Sequence, residues 1–137
     1  LPKQKVLVTT SRSGPFWYGR DYKFRQGIPW LYRQRDPILL ESLAKDSDLA
    51  THFEVFQEQG KLVRSCLSSS PSEIRPLEVV LAQDLQLLAG PGSAEVKSTL
   101  KQGQRVKLDW VKRHDSKLYA EAKSDKVSGW VVLPSSR

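Results

Sequence analysis

"LQLLAGPGSAEVKSTLKQGQRVKLDWV", residues 85–111, decides the fold class of this chain. Val106, Leu108 and Trp110 alternate with Arg105, Lys107 and Asp109, so an extended segment here has one apolar and one charged face. Gly90-Pro91-Gly92 and Gln102-Gly103 punctuate it as turns, because glycine gives free φ beside a proline whose φ is fixed. Upstream, "LEVVLAQDLQLL" (residues 77–88) is rich in Leu and Val and alternates in its second half. Downstream, "KLYAEA" alternates, "KSDKVSG" turns and "GWVVL" closes the unit. Short alternating strands joined by tight turns predict a small all-β barrel over residues 78–137.

Moving toward the N-terminus, "CLSSSPSEIRP" (residues 66–76) holds four serines in five positions, bracketed by Pro71 and Pro76. This composition predicts a linker over residues 69–77. Residues 1–68 then form a first β-rich module. "KVLVTTS" (residues 5–11) reads as a strand, and "HFEVFQEQGKLVRSCL" as a hairpin turning at Gln59-Gly60. Between them, "DPILLESLAKDSDLATHF" predicts one helix over about residues 36–50. Asp36 stands at its N-cap, Pro37 at its first position, and Ile38, Leu39, Leu43 and Leu49 form an apolar stripe. Both halves end in a closing hairpin, so a tandem pair of related barrels is a second arrangement that the pattern allows.

One stretch of known pattern emerges in the second half. Leu85, Leu87, Gly90, Pro91, Ser93, Val96, Leu100, Gly103, Val106, Leu108, Gly129, Trp130 and Val131 stand in the order and spacing of bacterial-type SH3 domains. Residues 79–137 therefore resemble that family. The resemblance implies an SH3-like barrel, a non-catalytic targeting role, and a protein or cell-wall polymer as partner in a bacterial cell envelope. Two departures stand out. Leu88-Ala89 replaces the usual basic or polar residue before the first glycine, and the aromatic first strand of eukaryotic SH3 domains is absent. Binding of polyproline II peptides in the eukaryotic manner is accordingly not expected. Nothing comparable covers the first half.

The chain has 137 residues, a net charge of +7 and a pI near 9.7, which favours polyanionic partners. The excess is spread over both halves, +4 in residues 1–70 and +3 in residues 71–137. No apolar run reaches the roughly 20 residues needed to span a bilayer. "LPKQKVLVTTSR" lacks the apolar middle of a signal peptide, and there is no methionine, so the sequence reads as a processed chain or a piece of a longer one.

Catalytic residue types are scarce. His52 and His114 are the only histidines, Cys66 is the only cysteine, and there is no asparagine. Cys66 lies in the alternating run "KLVRSCL" rather than at a helix start where a thiolate is stabilised, so it reads as a small strand residue rather than a nucleophile. No soft ligands stand at metal-binding spacing, and no glycine-rich phosphate loop is present. The expectation is a protein with no enzymatic activity, no metal and no cofactor.

Binding is the remaining chemistry. "GPFWYGRDYKFRQGIPWLYRQRD" (residues 14–36) carries seven of the twelve aromatic residues, interleaved with cations. Such a segment stacks bases or sugars on its rings while cations follow a backbone. The same rings are also needed for a core, and Phe16, Trp17, Phe24 and Trp30 are assigned there. Tyr18, Tyr22 and Tyr32, with a polar handle, and Arg20, Arg25, Arg33 and Arg35 are the candidate ligand residues. Trp110 and Trp130 of the second half join them. The leading expectation is a non-catalytic binding protein for a protein partner or cell-wall polymer. The alternative is single-stranded nucleic-acid binding through residues 12–35.

Overall fold

A computed structural model of the chain describes residues 6–13, 16–46, 49–125 and 127–134, with side chains outside the description at 6–13, 16–18 and 42. The molecule is mainly β. Its strands are β1 (Val6–Ser13), β2 (Phe16–Arg25), β3 (Ile28–Leu39), β4 (Leu49–Phe56), β5 (Leu62–Ser68), β6 (Leu77–Val80), β7 (Leu85–Leu88), β8 (Val96–Leu100), β9 (Arg105–His114), β10 (Lys117–Ser124) and β11 (Val127–Val132). They hydrogen-bond in the order β1-β2-β3-β4-β5-β9-β10-β11-β7-β8, with β6 paired to β9. Every pairing is antiparallel. The order runs from β1 to β8 without returning, so the sheet is open and the expected closed barrel is not formed.

The helix expected over residues 36–50 is absent. Asp36 to Leu39 continue β3 and pair with β4, Glu41–Leu43 make a single 3-10 turn, and Ala44 bridges to Leu81. Tertiary burial overrides the local signals here. Ile38, Leu40, Leu43, Ala44 and Ala50 are all buried, which is more of the segment's circumference than one helical stripe can present. Glu41 has φ of +49°, a left-handed conformation that breaks a helix. Pro37, read as a helix start, lies in β3 beyond the last β2 pair at Arg35, where a missing N–H breaks no bond to β2.

Residues on both sides of the Ser/Pro seam share one hydrophobic cluster. Ile38, Leu40, Ala50 and Leu67 from the first half pack with Leu77, Val79, Leu81, Leu87, Val106, Leu108, Val111 and Val131 from the second. A Cβ placed on Gly129 would lie 2.7 Å from the Leu87 Cβ, so only glycine lets β11 lie this close to β7. The seam itself is a strap stitched by hydroxyls. The buried Ser68 hydroxyl donates to the Glu73 carbonyl at 2.6 Å and accepts from the Ser70 and Arg75 amides. Ser70 Oγ in turn accepts from the Ser72 and Glu73 amides. Among the described residues, no helix is long and apolar enough to cross a membrane.

Candidate ligand-binding face

In a strand, alternate residues face opposite sides, so the register sorts the charged and aromatic residues onto two faces. Gly19 stands opposite Arg35, Asp21 opposite Arg33, Phe53 opposite Arg35, and Cys66 opposite both Phe53 and Trp110. This row forms the outer face. His52, Glu54, Ser65 and Leu67 belong to the inner face, which continues into the core.

On the outer face of β2 and β3, Asp21 has no solvent exposure. A buried carboxylate is costly unless paired, and two arginines pair with it. Arg33 Nε donates to Asp21 Oδ2 at 2.5 Å, and Arg35 Nη2 to Oδ1 at 3.0 Å. Arg35 Nη1 also reaches the Pro71 carbonyl at 3.2 Å, tying the strap down over this part of the face. A Cβ on Gly19 would fall on the Arg35 guanidinium, so a side chain there would push that guanidinium from its place beside Asp21. Arg33 further covers the Phe53 ring, 5.4 Å from its centroid. The register slips by one residue at Tyr32, a bulge that leaves its ring beside Trp30 (6.4 Å, 70° between planes). Lys23 lies 4.6 Å over the same Tyr32 ring, and Arg33 5.8 Å from it.

The other candidates of this segment are dispersed. Arg20 is exposed and Tyr22 half-buried; the side chain of Tyr18 lies outside the described residues, as do those of Phe16 and Trp17. Arg25 is exposed and pairs with Glu58 at 2.9 Å, joining the β2–β3 and β4–β5 hairpins. Phe24 and Trp30, assigned to the core from sequence, are half-buried.

Trp110 and Trp130 come together with partners on the outer face of β9 to β11. Trp110 is 43% exposed. The Arg64 guanidinium lies 5.7 Å from its ring, and that guanidinium is itself held by a 3.4 Å contact from Nε to the buried Cys66 Sγ. The Arg64 pKa is raised, first by this hydrogen bond to Cys66. Lys112 lies 5.6 Å over the half-buried Trp130 ring. Trp130 pairs with Glu121 of β10, and the β9 bulge of Asp109 and Trp110 faces the same Glu121. The two rings thus flank β10, two strand spacings or about 10 Å apart. Lys107 and Lys123 are exposed on the same strands, and Tyr119 sets its ring edge to His114 at 6.3 Å. Comparison with known proteins gives no match. No family model, curated protein or solved structure corresponds to the chain.

Sequence reading missed Arg64, Lys112 and Tyr119 as members of this face. The alternation that puts Lys107 outside was legible. The β9 bulge that turns Trp110 outward has no local sequence signal, and the β5–β9 pairing that delivers Arg64 to it joins residues more than forty positions apart.

A polar recess of about 310 Å³ on the inner face is lined by His52, Glu54, Leu62, Ser65, Val111, Lys112, Arg113 and Leu118. His52 Nε2 is 2.8 Å from Ser65 Oγ. Burial lowers the His52 pKa to about 4, with Asp36 opposing and Arg113 assisting. So weak a base is poorly matched to proton abstraction near neutral pH. Glu54 is raised by burial and by Asp36, against Arg113. Cys66 and His52 form no catalytic pair, because the two side chains leave opposite faces of the sheet. Among the described residues, no three His, Cys, Asp or Glu side chains gather as a metal site.

Proposed function

We propose that this chain is a non-catalytic binding module that holds an extended anionic polymer, such as an acidic cell-wall polymer, against the outer face of β9 to β11. The observation that carries the reading is the pair of cation-capped tryptophans, Trp110 with Arg64 and Trp130 with Lys112, on one face. Rings give sequence-tolerant contact to planar or cyclic units, and cations beside them favour a ligand with regularly spaced negative charge. A separation of about 10 Å suits a ligand of several units rather than a small molecule. The likeness of residues 79–137 to bacterial-type SH3 domains supports a targeting role for the same half.

The alternative, single-stranded nucleic acid on residues 12–35, draws support from Lys23, Tyr32 and Trp30 but less from Arg33 and Arg35, which are engaged with Asp21. Co-sedimentation with insoluble cell wall and retention on single-stranded DNA, each over a salt series, separate the two. Wall binding that Trp110→Ala with Trp130→Ala weakens roughly tenfold or more is expected. DNA retention that is unaffected by those changes and lost on Lys23→Ala with Tyr32→Ala would overturn the reading.

A further inference from the structure

The sheet is split where its two halves meet. β5 and β9 share a single pair, Cys66 with Trp110, and no further bridge follows. Beyond it the strands run on as two legs, residues 62–65 of β5 and 111–114 of β9. β4 occupies the far side of the first leg, and β10 the far side of the second. Each leg thus turns an unpaired backbone edge toward the other. The 310 Å³ recess lies between them, with Leu62 and Ser65 on one bank and Val111, Lys112 and Arg113 on the other.

Bulges explain the split. In β5 the register slips so that Phe56 faces Leu62 and Val55 faces Arg64, leaving Val63 as the extra residue. In β9 the slip falls at Asp109 and Trp110. A bulge bends its strand and interrupts its ladder, and here the β9 bulge falls at the shared pair itself while the β5 bulge at Val63 lies within its leg. Unpaired strand edges are templates for another strand, and native sheets commonly cover or charge them. These legs stay uncovered, with Leu62 and Val63 both nearly half exposed beside the cations Arg64, Lys112 and Arg113.

The side chains along the fork alternate in a way that specifies what fills it. Leu62, Ser65, Val111 and Leu118 lie toward the inner side. Arg64 and Lys112 stand on the outer side, one on each leg. Neither Arg64, Lys112 nor Arg113 has a carboxylate within ion-pair distance among the described residues. We infer that the β5–β9 fork receives an extended acidic peptide segment as an added strand, its apolar residues against Leu62, Val111 and Leu118 and its carboxylates between Arg64 and Lys112. Backbone pairing to the legs supplies affinity, and the alternate side chains supply selectivity. Four residues on each leg accommodate about 13 Å of extended chain. The peptide uses strand edges rather than the tryptophan rings. Its carboxylates meet the same Arg64 and Lys112 that cap Trp110 and Trp130, so it would compete with a polymer for those two cations.

The test uses the whole chain and a fluorescein-labelled nine-residue peptide alternating valine with glutamate. Three comparisons accompany it: the same peptide with lysine for glutamate, the same peptide with N-methylated backbone amides, and the double variant Arg64→Glu with Lys112→Glu. Anisotropy should show binding of the glutamate peptide, and the lysine peptide should be weaker by roughly tenfold or more. The double variant should reverse that preference, a gain that simple damage to the fold would not produce. N-methylation should abolish binding, and the amides of residues 62–65 and 111–114 should gain hydrogen-exchange protection with the unmethylated peptide. Absence of binding, equal binding of both charges, indifference to N-methylation, or protection confined to other amides would each overturn the proposal.

Discussion

Two regions of this molecule mix cations with aromatic rings and meet opposite fates. Residues 20–35 and the strands β9 to β11 both interleave arginine or lysine with aromatic rings. In the first, the buried Asp21 captures Arg33 and Arg35, and the strap at Pro71 closes over them. In the second, Glu121 between the rings lies 3.6 Å from Lys123 and leaves Arg64 and Lys112 unclaimed. Arg64 and Lys112 rest on Trp110 and Trp130, and one of those rings is well exposed. A cation beside a ring is therefore not a ligand signal by itself. What decides its role is whether an acid of the same face has already claimed it.

The sharpest way to break this comparison is to remove Asp21. Asp21→Ala leaves two largely buried guanidinium groups without their counter-charge, and is expected to lower stability by about 3 kcal/mol or more. Urea denaturation measures this. A loss as small as that of a surface substitution would mean that the arginines of residues 20–35 are available after all.

A comparable effect, dependent on pH, should come from His52. Its pKa falls from 6.5 to about 4 on folding, so the unfolded chain binds the proton that the folded chain refuses. Stability from this group is complete above pH 6.5 and drains away as pH falls to about 4, by up to about 3 kcal/mol. Denaturation midpoints across that window should flatten in His52→Gln. An equally steep profile in the variant would assign the dependence to other groups.

Gly19→Ala should cost about 1–3 kcal/mol, because the added methyl displaces a guanidinium pinned by Asp21. In the Asp21→Ala background the same change should cost much less, since nothing then holds Arg35 in place. A double-mutant cycle reads that coupling, and additivity would sink the idea.

The smallest stability effect belongs to the polymer face. Trp110→Ala should alter stability by only about 1 kcal/mol or less. Its effect on polymer binding should exceed that on folding, and sedimentation with cell wall beside thermal melting compares the two. A large loss of melting temperature with unchanged binding would place Trp110 among the structural residues and remove the contrast between the regions.

Much of the β architecture was legible locally. The turns at Gln59-Gly60, Gly90-Pro91 and Gln102-Gly103 separate strands as the spacing indicated, and the alternation at Val106 and Leu108 correctly marks the buried side of β9. The segment from Asp36 to Ala50 was misread. Its capping and spacing signals are real but weak, worth tenths of a kcal/mol to about one each, and burial of five apolar side chains outweighs them. Trp110 and Trp130 were visible as candidates, whereas their cations were not. Lys112 reaches Trp130 across β10, and Arg64 reaches Trp110 only through the β5–β9 contact.

The sequence by itself determined that the chain is built of short strands and tight turns, because side-chain alternation and backbone restrictions at glycine and proline act over a few residues. Only the tertiary structure decided which charges are spent internally, that the sheet stays open and forks between β5 and β9, and that both halves share one core. Those outcomes depend on strand register and bulges, which bring together residues far apart in the chain and leave no local pattern to read.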